Sequence, residues 1–476
     1  MHISRRRAII YTVITVVAFA AAAEVGVRLV CWAIGRVPYT VATPWMQADD
    51  ELLYVFQPHF EGRVYQTTAR INNHGLRGED CTTSKPKNTL RVLCLGDSRT
   101  FGFFTGQDEC YPAQLERLWR ERVPNHRLEV LNAGMPGYSS YQGLRYLELR
   151  GLRFEPDVVT VAFGANERRF VLRPEQADGA QWFRQAARGL RQRQRLRFSY
   201  ALLGAAKVLR RARGVDRWNR DVLASPSQRL DDLPCRVDRE TFRQNLRRIA
   251  RLCRERGIRL ILITMADAPA IEQAFDEGRR LRSQERYDEA IEAFSRIGRE
   301  PADRPTEQWC RALVLYEIGL TRQAEGRTSE ALAAFRESAQ TAAFWSALGG
   351  RLIRHARDYV EIMREVASEV ETPCLDIAAR FAQRPELFAD YCHFTARGHR
   401  AIAEGLADCL AKGQPATSNQ QLTTDNWRSR VLDLQTAATL VAFEGQLDQP
   451  IKQLREAHAA RLPQLGIHTD AREAGN

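Results

Sequence analysis

The segment LRVLCLGDSRTFGF (Leu90–Phe103) runs through apolar residues around Arg91 and then breaks into glycine, carboxylate and hydroxyl. A hydroxyl at the carboxyl end of a buried strand lies where open parallel sheets bind ligands, which makes Ser98 a candidate nucleophile. The same tripeptide also suits a helix N-cap, because Ser and Asp oxygens accept backbone N–H groups there. A second stretch, DYCHFTARGH (Asp390–His399), sets a carboxylate and an imidazole three positions apart, so that a tight turn or first helical turn presents both in one direction. If the two stretches meet, His393 takes the Ser98 proton and Asp390 holds the imidazole in the tautomer that does so. Cys392, His393 and His399 also permit a metal reading, but no second cluster supplies the remaining ligands. The expectation is therefore no metal and no other cofactor, with His399 starting the next helix away from the site.

Acyl transfer also needs donors aimed at a developing oxyanion. NAGMPGYSS (Asn132–Ser140) offers the backbone N–H of Gly137, where no Cβ obstructs a ligand, and FGANE (Phe163–Glu167) offers the Asn166 amide. Each signal is weak alone, since glycine turns after strands are usually just turns. Together the polar residues fall at the ends of the first, second and third predicted strands and in the loop after the fifth. That is one edge of one sheet. Asp97 reads as a structural acceptor, and the absence of G-x-S-x-G around Ser98 argues against the α/β-hydrolase elbow.

The elements that must hold these residues follow from pattern. LEVLN (128–132), DVVTVAF (157–163), IRLILIT (258–264) and the shorter PCLDI (373–377) are continuous apolar runs like Leu90–Leu95, as a parallel sheet covered on both faces requires. PAQLERLWRERV, SYQGLRYLELRGL and RETFRQNLRRIARLCRERG intervene with helical periodicity, so the chain is α/β with a doubly wound layer structure. Between the fourth and fifth strands, Gly278–Phe294 recurs as Gly319–Phe335, 41 positions on, with the Gly, Glu-Ala and Ala-Phe positions in register. The repeat is similar to tetratricopeptide units with a few residues inserted and predicts a helical insertion on the α/β domain. Two unrelated amphipathic helices are the alternative.

At the N-terminus, Arg5–Arg7 precede sixteen uncharged residues, Ala8–Ala23, and the apolar pattern continues past Glu24 and Arg28, which are four apart and can pair on one helix face. With a span of about 20 apolar residues needed to cross a bilayer, this reads as a single-pass anchor. The basic residues before it place the bulk of the chain on the periplasmic or extracellular side of the inner (cytoplasmic) membrane. A cleaved signal peptide is the rival, since Ala20–Ala23 contains an A-x-A site. Basic residues outnumber acidic by 70 to 58, much of the excess being Arg within 184–220, which reads as a solvated helical face before a lipid-contacting one. No nucleic-acid module accompanies the charge, so nucleic acid is not an expected partner. Ten cysteines without a C-x-x-C pair do not make a disulfide scaffold.

GDSRTFG around Ser98, NAGMPG around Gly137, GANE around Asn166 and DYCH with Asp390 and His393 resemble, in order, the four sequence blocks of the SGNH or GDSL hydrolase family. The resemblance covers about Leu90–Ala270 and Leu352–Leu410. It implies a flavodoxin-like three-layer parallel sheet and an oxyanion hole from the Ser98 and Gly137 amides with the Asn166 side chain. A Ser98–His393–Asp390 triad acting on esters without metal is also implied. INNHGLRG (Ile71–Gly78) is similar to a motif of a membrane-anchored bacterial branch of the family. Two departures stand out: Glu167 occupies a position where the family usually has Asp, and the helical insertion separates Asp390 from the fourth strand. The expected organisation is an anchor over 1–36, a lead-in over 37–89, hydrolase parts over 90–270 and 351–412, the insertion over 271–350, and a helical tail over 413–476. The expected activity is an exported, membrane-tethered serine esterase acting on an acylated cell-envelope carbohydrate or lipid, with the repeats available to a protein partner. An exopolysaccharide O-acyltransferase with the same site is the close variant, less favoured because those enzymes typically carry Asp-x-His. A non-catalytic scaffold of the tetratricopeptide type is the other alternative.

Overall fold

The computed structural model describes residues 4–33, 38–65, 67–168, 179–212, 235–265, 267–297, 307–347 and 357–411. The tail over 413–476 and parts of the insertion, 298–306 and 348–350, lie outside the described residues. The chain divides into two units, Met1–Pro38 with Ser199–Ala201 and Pro415–Asn476, and Tyr39–Phe198 with Leu202–Gln414.

In the first unit the apolar run forms one helix, Arg5–Ala33, of 29 residues with no buried side chain. At about 1.5 Å per residue it rises roughly 43 Å, against about 30 Å of bilayer hydrocarbon. Its length and composition suit a membrane span or a signal sequence. Glu24 pairs with Arg28 at 2.6 Å, as the four-residue spacing predicts. The same carboxylate accepts from the Ser199 hydroxyl at 2.7 Å and from the Tyr200 and Ala201 amides at 3.0 Å. An ionisable group in an apolar helix is tolerated when partnered in this way.

In the second unit the sheet is built from β5 (Thr89–Gly96), β6 (Arg127–Gly134), β7 (Val158–Ala162), β8 (Arg259–Thr264) and β9 (Cys374–Asp376), ordered β6-β5-β7-β8-β9 and parallel throughout. This is the flavodoxin-like order, with its switch point beside the first strand of the sheet. Because successive side chains alternate across a strand, Leu93 and Leu95 pack on one face with Leu144, Leu246, Ile249 and Met363. Val92 and Cys94 pack on the other with Leu115, Trp119, Ile402 and Leu406. Both faces are thus covered by helices, which is why the strands read as unbroken apolar runs.

The lead-in adds two antiparallel hairpins, β1 (Met46–Asp49) with β2 (Leu53–Phe56) and β3 (Glu61–Val64) with β4 (Thr67–Arg70). Their residues Trp45, Phe56, Val64 and Ile71 join the same core cluster as Leu93 and Leu95. The stretch TSKPKN is docked on the sheet domain, for the carbonyls of Thr83 and Ser84 accept from the Arg91 guanidinium and Lys85 pairs with Asp157.

Between β8 and β9 the chain makes the helices Pro269–Ser283, Tyr287–Arg296, Glu307–Ala324, Thr328–Ala347 and Arg357–Glu369 before β9 returns beside β8, with Leu262 opposite Cys374. The repeated Gly and Phe positions have one physical role. A Cβ on Gly278 would lie 2.4 Å from the Phe294 ring, and one on Gly319 would lie 2.5 Å from the Phe335 ring. Each glycine lets one helix of a pair seat the other's aromatic side chain. Gly278→Ala should therefore destabilise the insertion by about 1–3 kcal/mol through overpacking, lowering its unfolding temperature in a thermal melt, whereas Gly204→Ala, whose Cβ meets nothing within 4 Å, should not.

Candidate active site

β5 delivers Gly96 to a turn too tight for any side chain, since a Cβ there would lie 1.9 Å from Thr100 Oγ1. Asp97 then caps the helix Ser98–Phe101, accepting from the Arg99 amide at 2.9 Å, while the Arg99 guanidinium donates to both its oxygens at 3.1 and 2.9 Å. The capping role suggested by Gly-Asp-Ser thus falls to Asp97. Ser98 Oγ lies 2.8 Å from His393 Nε2.

His393 and Asp390 sit on a turn closed by the antiparallel bridge Phe388–Phe394 and by the Ala389 amide donating to the His393 carbonyl at 2.8 Å. Asp390 Oδ1 accepts from the amides of Cys392 (2.9 Å) and His393 (2.7 Å), and Oδ2 lies 2.7 Å from His393 Nδ1. Burial pushes the Asp390 carboxyl up, but the His393 charge and these hydrogen bonds outweigh it and hold it below the usual range. Burial likewise pushes the imidazole down, and the Asp390 charge reverses this, so His393 keeps its proton well above its ordinary 6.5. The Asp390, Cys392 and His393 ligand atoms lie within 4.8 Å of one another. They form a poor metal site: Nδ1 is committed to Asp390, and burial keeps the Cys392 thiol protonated. His399 lies in the helix Ala396–Ala411, where its Nδ1 accepts from the Tyr111 amide at 3.2 Å and burial pushes its pKa down to about 3.

Gly137 has φ +85°, a left-handed conformation that favours glycine, and a Cβ there would lie 2.7 Å from Tyr54 Oη. Its carbonyl accepts from Arg236 at 2.5 Å. Asn166 follows β7, and its Nδ2 donates to the Tyr138 carbonyl at 2.8 Å, which orients the amide. Ser98, Gly137 and Asn166 stand on turns after neighbouring strands, β5, β6 and β7, as the sequence pattern predicts.

Several further residues support the site in ways the sequence alone does not assign. Glu167, the departure from the family pattern, is buried and bridges two loops, accepting from the Ser140 amide at 2.5 Å and the Gly164 amide at 2.9 Å. Burial pushes its carboxyl up in pKa. The longer side chain braces the Asn166 loop against the helix Ser140–Leu149. Arg168 forms a buried two-pronged pair with Asp267 at 2.7 and 2.8 Å, and the Ala268 amide donates to the Tyr391 carbonyl at 2.7 Å, linking the end of β8 to the His393 turn. Arg77, from INNHGLRG, donates to four carbonyls of the loop after Ser98: Phe101 (2.6 Å), Gly102 (2.8 Å), Thr105 (3.0 Å) and Gly106 (2.7 Å). Asn72 of the same motif accepts from the His74 and Leu76 amides and so forms the turn that aims it.

A serine, histidine and aspartate hydrogen-bonded in line at the carboxyl edge of a parallel sheet is an arrangement suited to acyl transfer. Residues 94–305 match the family model described as GDSL-like Lipase/Acylhydrolase, and this chain carries a GDSL-type hydrolase domain, of the class acting on ester bonds. Asp390 and His393 lie beyond the matched residues. Among solved structures, the chain is similar to a lipase/acylhydrolase from Enterococcus faecalis (16% identity, 69% of this chain and 100% of that one, TM-score 0.33). It is also similar to an acetyl xylan esterase (13%, 67% and 100%, TM-score 0.33). A third similar structure is Axe2, an acetylxylan esterase from Geobacillus stearothermophilus (14%, 68% and 95%, TM-score 0.33). No curated protein matches the chain.

Two outcomes follow from this geometry. In NMR titrations the His393 imidazole should lose its proton above pH 6.5, and Asp390→Asn should bring that midpoint down, while His399 stays neutral at pH 5. Glu167→Gln replaces one acceptor oxygen by a donor facing an amide N–H and should cost about 1–3 kcal/mol of stability, seen as faster hydrogen exchange at Ser140 and Gly164.

Proposed function

We propose that this chain is an exported, membrane-tethered serine esterase that removes an acyl group, acetyl being the simplest, from a cell-envelope carbohydrate or lipid. The observation that carries this reading is the hydrogen-bonded line from Ser98 Oγ through His393 to Asp390, at 2.8 and 2.7 Å. Ser98 Oγ bonds to the ester carbonyl carbon as its proton passes to His393 Nε2, and the carbonyl electron pair moves onto oxygen. The Ser98 and Gly137 amides and the Asn166 side chain receive that oxyanion. When the electron pair returns, the bond to the alcohol oxygen breaks and the alcohol leaves with the His393 proton. Water then repeats the sequence at the acyl-enzyme and releases the acid. Asp390 stays ionised and steadies the imidazolium. The tether is the helix Arg5–Ala33 with three arginines at its start, which favours a cytoplasmic N-terminus and an exported hydrolase. The helical pairs after β8 are available to a protein partner.

A fluorophosphonate probe should label the wild-type chain at Ser98, the serine oxygen displacing fluoride, and labelling should vanish in Ser98→Ala; wild type left unlabelled there would overturn the reading. Asn166→Ala should lower kcat by about 10²–10³, as for one lost oxyanion donor, in p-nitrophenyl acetate hydrolysis. A base must be neutral to accept a proton. Since Asp390 holds the His393 proton above its ordinary 6.5, kcat/KM should fall on acidification with a midpoint above 6.5.

A further inference from the structure

Outside the N-terminal helix, the exposed large apolar side chains among the described residues are Tyr65, Phe104, Leu149, Phe198 and Leu202. Two of them, Tyr65 (43% exposed) and Phe104 (42% exposed), belong to a row of rings that starts at His393. The Phe104 ring stands 5.6 Å from the His393 ring, Phe103 stands 5.0 Å from it, and Tyr65 packs 5.5 Å from Phe103. Buried Trp45 supports Tyr65 from behind at 5.3 Å.

Both exposed rings are carried on unfavourable backbone. Tyr65 has φ +54° and Phe104 has φ +64°, left-handed conformations that bulky residues rarely adopt. Tyr65 sits in the two-residue turn between β3 and β4, where Val64 pairs with Thr67. Asn, Asp or Gly normally occupies such a turn. Phe104 is fixed by its own amide, which donates to Thr67 Oγ1 at 2.9 Å, so the hairpin and the loop after Ser98 hold the two rings as one surface. Strain of this kind persists where the surrounding structure over-determines it, and it clusters at ligand contacts.

The position of this surface says which half of an ester it meets. His393 returns its proton to the leaving oxygen, so the alcohol must lie within reach of Nε2. Phe103 and Phe104 flank that imidazole, with Tyr65 one ring further out against Phe103, whereas the acyl oxygen is held toward Gly137 and Asn166. Rings left more than two-fifths exposed on turn tips cannot enclose an alkyl chain, whose whole surface gains from burial. They can take the flat C–H face of a pyranose while its hydroxyls stay in water. We propose that Tyr65 and Phe104 form a ledge that binds a pyranose ring on the leaving-group side of Ser98, so that the ester cleaved is one on a sugar hydroxyl. This rests on the esterase reading above.

The test compares methyl 6-O-acetyl-β-D-glucopyranoside, vinyl acetate and the pair p-nitrophenyl acetate and octanoate on the full chain. Tyr65→Asn and Phe104→Asn suit left-handed backbone and keep the turns. Each should reduce kcat/KM for the sugar ester about tenfold relative to vinyl acetate, through KM, in line with loss of one aromatic contact. A ratio that holds within about twofold overturns the ledge and leaves the esterase intact. Variants that instead lose octanoate relative to acetate place the acyl chain on the rings and overturn it too. Failure of wild type to turn over any of the four esters overturns the esterase reading itself.

Discussion

A carboxylate and an imidazole taken out of water together are stable only as a pair, and the contact between Asp390 and His393 is that pair here. Breaking a buried pair leaves an uncompensated charge, whereas the intact pair adds little net stability and much geometric definition. Two backbone amides fix one oxygen of Asp390, and the imidazole takes the other, so the ring has one orientation, toward Ser98. The same device recurs around it: Asp97 with Arg99 under the nucleophile turn and Asp267 with Arg168 under the turn that carries His393. Four loops from distant parts of the chain are thus located by buried charge and hydrogen bonds, while the apolar sheet beneath supplies the stability.

What could be read from residues alone was whatever depends on local pattern. The five strands announce themselves because each is buried on both faces, and Ser98, Gly137 and Asn166 stand out because polar residues follow apolar runs at one edge. Gly278 and Gly319 were legible as a repeat because helix pairs reuse one Gly–Phe contact. The supporting residues were not. Arg77 lies in the INNHGLRG run, but nothing in that run says which carbonyls it meets. Glu167 stands where the family usually has Asp, and only the structure shows its longer side chain reaching the Ser140 amide of the helix Ser140–Leu149. Asp97 reads as a structural acceptor from the sequence, and the backbone shows what it accepts: the cap of the helix Ser98–Phe101. Phe104 and Tyr65 carry no pattern because their meaning lies in a backbone angle and in a neighbour almost three hundred positions away.

The large excursion between β8 and β9 is compatible with the site because parallel pairing requires only that the returning strand arrive in register. Leu262 opposite Cys374 satisfies that whatever intervenes, and a long loop adds closure entropy only logarithmically. The helices between are ordered by contacts of their own, such as Arg279 and Arg282 on Glu317.

The grip of Arg77 on four carbonyls, two on either side of Phe103 and Phe104, makes the segment ahead of the sheet an integral part of the loop that follows Ser98. A shortened chain beginning at β5 would retain Ser98, His393 and Asp390 but lose Trp45, Phe56, Val64 and Ile71 from the core beneath the sheet. It would also leave Phe101, Gly102, Thr105 and Gly106 without their shared cation. The unit that holds the sheet thus starts near Tyr39, some fifty residues before the sheet's first strand.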